Sequence, residues 1–186
     1  MTPRSIRVAQ SAYLDTCVIS GYVKGELQAC EKLAFEAIMS AYQMETIDLL
    51  RSAVVDQEIA AIPEQYRSPH QALLSTLLSI PVPNVGGLTR CGSAGYGTAN
   101  PSRMLWNRLI AVLPDENDRS HVFVAARNRV HFFVTVDFRT ILSRRSKVLA
   151  ASGVEPVTPS EFVAHAHGPM LFADTVLRST LLRSET

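Results

Sequence analysis

The 186-residue chain has little of the features that would fix its class at once. Its three cysteines, Cys17, Cys30 and Cys91, are too few and too widely spaced for a disulfide framework, and none forms a C-x-x-C pair for zinc or redox chemistry. They read as small buried or half-buried thiols. Long apolar runs are missing: the strongest, residues 130–136, is far below the ~18 residues that a membrane-crossing helix needs, so no membrane partner is expected. The first fifteen residues hold no continuous apolar stretch followed by a small-residue cleavage site, so a soluble, cytoplasmic protein is expected. Neither sign of charge dominates. With 18 basic and 17 acidic residues the net charge is +1, which exerts no global pull on nucleic acid. A composition of 47% hydrophobic and 19% charged residues excludes disordered, collagen-like and coiled-coil chains and suits one globular domain.

Familiar catalytic fingerprints are missing too. The glycines from Gly92 to Gly97 fit neither a dinucleotide nor a phosphate-loop pattern. The stretch Cys91-Gly92-Ser93-Ala94-Gly95 lacks the first glycine of a nucleophile elbow. An Asp15 nucleophile of the phosphatase kind would want an acid two positions on, where Cys17 stands. His165 and His167, two residues apart near a helix end, read as incidental.

What is present is an alternation of strand and helix patterns. Residues 11–14 read as a strand ending at Asp15, and Leu27, Cys30, Ala34, Ala37, Ile38 and Ala41 then recur at helical spacing. A second strand is expected over 46–51, followed by a helix over 53–62 that carries Glu58 and that Pro63 stops. Ser68, Pro69 and Gln71 form a capping signature ahead of Leu73, Leu74, Leu77 and Leu78, which predicts a helix starting there. Residues 81–85 read as a short strand or connection, and the five glycines within 86–100 as a loop. Asn100 and Pro101 open a helix that buries Leu105, Leu109 and Val112 and ends before Pro114. After the turn at Asp115, Glu116, Asn117 and Asp118, a helix over 118–129 exposes Arg119, Arg127 and Arg129. The run 130–136 looks like a central parallel strand closing at Asp137. A helix over 138–150, a strand over 154–157 and a helix capped by Thr158, Pro159 and Glu161 complete the order, and residues 168–186 read as an amphipathic tail that packs on its own domain. Such alternation argues for an α/β fold with a mostly parallel sheet, whose ligands gather beyond the carboxyl ends of the strands.

Two acids fall at such strand ends, Asp15 and Asp137. Glu58 and Asp118 lie in helices that can cross above the same edge, so four carboxylates separated by 43, 60 and 19 positions are expected to converge. Gathered carboxylates repel, and a divalent cation or a shared proton relieves that repulsion. Oxygen-only ligands favour Mg2+ or Mn2+. Against this, each acid alone could be a solvated residue or a helix cap, Asp118 above all. Residues 119–147 hold seven basic side chains against one acid, and Arg139, Arg144, Arg145 and Lys147 follow Asp137 closely enough to contact phosphates.

The segments Leu14-Asp15-Thr16-Cys17, Val54-Val55-Asp56-Gln57-Glu58, Asp118-Arg119-Ser120-His121 through Ala126, and Phe133-Val134-Thr135-Val136-Asp137 together resemble the PIN-domain ribonucleases. The likeness spans residues 11–165 and is greatest to the small toxin-type members similar to VapC. It implies a three-layer α/β/α sandwich over residues 1–167, interrupted by the insert at 86–100 and followed by the tail at 168–186. It implies that Asp15, Asp118 and Asp137 hold Mg2+ or Mn2+, with Glu58 completing the catalytic cluster, and that RNA is cut to 5′-phosphate and 3′-hydroxyl ends. Asp115 or Glu116 could stand in for Asp118, although the spacing to His121 favours Asp118. By the same resemblance Thr16 and Thr135 orient the carboxylates or contact phosphate, and Arg139, Arg144 and Arg145 bind substrate. His121, one helical turn beyond Asp118, packs behind the carboxylates rather than on the metal. A homodimer and an antitoxin protein partner are expected. The alternatives are a housekeeping RNA-processing nuclease and a non-catalytic module of the same fold that binds RNA or protein.

Overall fold

The computed structural model describes residues 10–77 and 101–167. Four short strands, β1 (Gln10–Leu14), β2 (Ile47–Leu50), β3 (Phe132–Val134) and β4 (Glu155–Val157), form one sheet in the order β2-β1-β3-β4, and every pairing is parallel. Helices α1 (Thr16–Lys24) and α2 (Ala29–Gln43) link β1 to β2. Between β2 and β3 run α3 (Ala53–Ala61), α4 (Glu64–Leu77), α5 (Pro101–Ile110) and α6 (Glu116–Arg127). A 3-10 turn, Leu142–Arg144, and α7 (Arg145–Ser152) join β3 to β4, and α8 (Pro159–His167) follows.

Strand order and handedness place the layers. The step from β1 to β2 moves across the sheet in one direction and the step from β3 to β4 in the other, so right-handed crossovers put α2 and α7 on opposite faces. Packing agrees: α8 lies against α2, while α5 and α6 lie against α7. Side chains follow the same division, since the ring of Phe132 meets Phe162 of α8 with centroids 5.5 Å apart. On the opposite face the register partners Tyr13 and Phe133 stack at 5.2 Å, and Tyr13 reaches His121 of α6. The protein is an α/β/α sandwich on a fully parallel sheet. With both faces covered, the inner residues of the central strands are apolar: Ala12, Tyr13, Leu14, Phe133 and Val134 are all inaccessible to solvent. Burying one such Leu or Phe contributes about 2–3 kcal/mol. Among the described residues no helix is long and apolar enough to cross a membrane.

Local chemistry sets most boundaries. Ser52 caps α3 by accepting from Val54 N, and Ile62 before Pro63 is forced extended, with ψ 137°, which ends that helix. At α8 the capping box is complete: Glu161 N donates to Thr158 Oγ1 at 3.2 Å and Thr158 N to Glu161 Oε2 at 2.8 Å.

Several expectations need correction. Helix α1 begins directly after Asp15 and has no counterpart in the sequence reading. Its Gly21 is needed because a Cβ there would lie 2.8 Å from Leu27 Cδ2, so the chain that turns back into α2 packs against bare backbone. Helix α4 starts at Glu64, not at the Ser68-Pro69-Gln71 signature, and Pro69 sits inside it. The break at Pro63 starts the helix earlier: Tyr66 N bonds Pro63 O, and the Arg67 guanidinium holds Ile62 O at 3.0 and 3.2 Å. The expected strand over 130–136 shrinks to Phe132–Val134, so Asp137 stands three residues past its end. The helix expected over 138–150 is replaced at its start by a turn, in which Asp137 Oδ1 accepts from Arg139 N and Thr140 N, and by the 3-10 turn Leu142–Arg144, so that α7 begins only at Arg145. Helix α6 begins at Glu116 under an Asp115 cap, not at Asp118. Arg119 is half-buried rather than exposed, donating to Leu113 O and Pro114 O with its guanidinium 5.6 Å from the Trp106 ring centroid. Cys30 is exposed. The segment expected at 81–85, the glycine-rich stretch 86–100 with Cys91, and the tail 168–186 lie outside the described residues.

Candidate active site

Where the strand order reverses, between β1 and its neighbours, the carboxyl ends of the parallel strands open a crevice, the usual ligand position of such sheets. An open cavity of about 400 Å³ occupies it. Its walls carry Asp15, Thr16, Cys17, Ser20, Glu58, Asp118, His121 and Asp137, with Ala61 and Ile62. All four carboxylates singled out in the sequence therefore face one space, and among the described residues no Lys or Arg lines it.

Asp15 is held most firmly. Its backbone N donates to Val134 O at 3.1 Å, pinning it where β1 and β3 part. Its Oδ2 accepts from Thr135 Oγ1 at 2.7 Å and from Cys17 Sγ at 2.9 Å, leaving Oδ1 unengaged. Burial, reinforced by the Asp15 charge, pushes the Cys17 thiol well above its usual range, so it stays a donor. Thr135 is wholly buried and also accepts from Asp137 N at 3.0 Å; it orients both strand-end acids and cannot itself touch a substrate phosphate.

Glu58 projects from α3 and accepts from His121 Nε2 at 3.0 Å. Partial burial alone would raise its carboxyl, but the bond and charge of His121, with help from the nearby Thr16 hydroxyl, hold it below the ordinary range. Thr16 Oγ1 is itself buried and makes no well-formed hydrogen bond. Burial favours a neutral His121, yet the bond to Glu58 and the charges of Asp15, Glu58 and Asp118 outweigh it and raise its pKa. Among the described residues the imidazole is the one basic group in the cavity wall.

Asp118, in the first turn of α6, is half-buried, and its pKa is raised by that burial and by Asp115, Asp137 and Asp15, with only the Thr140 hydroxyl opposing. Asp137 is turned onto its own loop: Oδ1 takes Arg139 N and Thr140 N, both at 2.9 Å, and Oδ2 takes the Thr140 hydroxyl.

The basic residues chosen from the sequence do not join this group. Arg139 is exposed beyond the Asp137 turn, Arg144 is half-buried, and Arg145 pairs with Glu161 at 2.6 Å; none lines the cavity. Conversely, the sequence reading overlooked Tyr13, Ser52 and Ser20. A hydroxyl-bearing ring between Ala12 and Leu14 was the one visible signal for Tyr13.

Among the described residues no group of three or more His, Cys, Asp or Glu side chains is arranged to hold a metal ion as the side chains stand. The donor chemistry nevertheless fits a hard divalent cation. Among the described residues Asp15 Oδ1 and Glu58 Oε1 accept no hydrogen bond, Thr16 Oγ1 is an orphaned buried oxygen, and the repulsion that raises Asp118 meets no Lys or Arg in the cavity wall. No protein-family model matches this chain, no curated protein is similar to it, and no solved structure matches it.

Proposed function

We propose that this protein is a metal-dependent endoribonuclease of the PIN-domain kind, and that the cavity at the β1–β3 edge is its active site. One observation carries the reading: four acids, 122 positions apart in sequence at the extremes, from Asp15 to Asp137, line a single crevice in which, among the described residues, there is no Lys or Arg. Asp15, Asp118 and Glu58 would hold Mg2+ or Mn2+, with Asp137 joining once its turn releases an oxygen. A cation so bound lowers the pKa of water and offsets charge on the reacting phosphate. Glu58, kept ionised by His121, takes the proton of the attacking water. The water oxygen bonds to phosphorus in line, the bond to the 3′ oxygen breaks, and that oxygen takes a proton from solvent, giving 5′-phosphate and 3′-hydroxyl ends. Arg139, exposed past the Asp137 turn, supplies a phosphate contact outside the cavity.

Purified protein with Mn2+ and a single-stranded RNA tests this directly. Cleavage by wild type that disappears in Asp15→Asn supports the reading, whereas equal cleavage in wild type, Asp15→Asn and Asp137→Asn points to a contaminant and sinks it. A second reading draws on the engagement of both Asp137 oxygens by the backbone and hydroxyl of its own turn: a non-catalytic module that binds RNA or protein, for which wild type binds RNA without cutting it. Within the nuclease reading we place the chain with the toxins. It then acts as a cytoplasmic homodimer restrained by an antitoxin protein, arrests growth when expressed alone, and is relieved by the product of a neighbouring short gene. A housekeeping nuclease does neither.

A further inference from the structure

Tyr13 is wholly buried in the middle of β1, its ring stacked on Phe133 at an interplanar angle of 7°. Phenylalanine would fill that space and make the same stack. The hydroxyl therefore needs its own explanation, because an unbonded hydroxyl in such surroundings destabilises the fold. It is bonded on two sides, to Ser52 Oγ at 2.5 Å and to His121 Nδ1 at 2.7 Å. His121 Nε2 continues to Glu58 Oε2 at 3.0 Å. Ser52, Tyr13 and His121 are each at most 2% exposed, so water does not substitute for any of these bonds. A line of four polar groups, contributed by the β2–α3 junction, β1, α6 and α3, thus runs through an otherwise apolar layer and ends at a cavity carboxylate.

The chemistry of the line restricts one proton. An ionised Glu58 only accepts, so Nε2 must carry the hydrogen between them. Nδ1 then accepts from the Tyr13 hydroxyl, or donates to it when the ring is charged. Ser52 Oγ donates to the Tyr13 oxygen in the first case and accepts from it in the second. Both arrangements keep Nε2–H aimed at Glu58. Without the phenol, Nδ1 would be an unpaired buried atom, and the ring would gain by rotating or changing tautomer.

We propose that Tyr13, backed by Ser52, is a positioning residue that acts through His121, fixing Nε2–H towards Glu58 Oε2 and leaving Glu58 Oε1 directed at the cavity. The consequence for catalysis rests on the nuclease reading above; the orientation of the imidazole does not. Tyr13→Phe keeps the stack and removes the hydroxyl. For RNA cleavage we expect kcat to fall about tenfold with KM within about twofold, because a misplaced base slows the chemical step without altering binding at the phosphates. In the metal-free protein, nitrogen-15 spectra of His121 should show one species protonated at Nε2 in wild type and a mixture of ring states in Tyr13→Phe. Ser52→Gly, which retains an acceptable helix cap, should move both readouts the same way by a smaller amount, about threefold in kcat. It serves as the second probe should Tyr13→Phe not fold. A His121 spectrum unchanged in either folded variant overturns the proposal, as does a loss that appears in KM with kcat intact. If wild type cuts no RNA, the nuclease reading fails alone, and the imidazole spectra still decide the positioning role.

Discussion

Two groups of acids sit along the same carboxyl edge of the sheet, and they are solved in opposite ways. Beside β4, Glu31 accepts Ser160 N at 2.9 Å and Ser160 Oγ at 2.6 Å, while Glu161 takes Thr158 N at 2.8 Å and the Arg145 guanidinium at 2.6 Å. Every charge there is answered by a donor from within the fold, and the result fastens α2, α7 and α8 together. Beside β1 and β3, the charge is left in excess: Asp118 is flanked by three acids, Asp15 keeps one oxygen unengaged, and only His121 answers Glu58. Residue type and position in the architecture are the same, so the contrast isolates compensation as the variable. Acids compensated internally are structural; those left uncompensated around the cavity are, under the proposed nuclease reading, kept for a cation.

Exchanging single atoms in each group should separate the two roles. Asp15→Asn is expected to lower RNA cleavage by about 10³-fold, the scale on which one preorganised electrostatic contact acts. If Mn2+ binds as proposed and raises the wild-type melting temperature, the variant should show a smaller rise, since a cation at a hundred times its Kd adds about 2.7 kcal/mol to the native state. Glu31→Gln should do the reverse. It leaves kcat unchanged but weakens two charge-assisted bonds to Ser160 at a buried position, and denaturant titration should show a loss of about 1–3 kcal/mol. Were Glu31→Gln to abolish cleavage with stability intact, the division between the groups would collapse.

Much of this edge was legible in the sequence, for particular reasons. Asp15 and Asp137 could be placed because apolar runs that end abruptly in an acid are local patterns, and the parallel fold followed from their alternation with helical spacing. The Thr158-Pro159-Glu161 cap read correctly because all its bonds close within four residues. The same kind of signature at Ser68-Pro69-Gln71 misled, since the start of α4 was decided upstream by Pro63 and by Arg67 reaching Ile62 O. Tyr13 was illegible because its partners, Ser52 and His121, lie 39 and 108 positions away. The pairing of Arg145 with Glu161, 16 positions apart, is likewise a contact that no local pattern announces.

Acid should loosen the compensated group gradually. Glu161 has its pKa lowered, since the Arg145 and Thr158 bonds outweigh its partial burial. A carboxylate depressed in the fold contributes stability that is present above its unfolded value of 4.5 and is lost as pH falls through the lower native value. Its side chain is 39% exposed, so screening limits the contribution to about half a kcal/mol. Glu161→Gln retains a capping partner but loses the charge. Its melting temperature should differ from wild type by a degree or two at pH 7 and converge with it below pH 4, as scanning calorimetry across that range would show.

The smallest effect has the opposite sign and bears most directly on why the cavity is built as it is. Asp118 has a raised pKa, so its ionised form is less favourable in the folded chain than in the unfolded one, and metal-free stability falls as pH climbs above the unfolded value of 3.8. Neutralising it removes that cost. Asp118→Asn should therefore stabilise the metal-free protein at pH 7 by a few tenths of a kcal/mol, the discount again reflecting its half-exposed position. The same substitution should reduce the melting-temperature rise given by Mn2+ and lower cleavage. A variant that is more stable without metal and less responsive to it is the behaviour of an acid kept for its ligand. Asp118→Asn that destabilises the metal-free protein would instead assign Asp118 to the structural group, with Glu31.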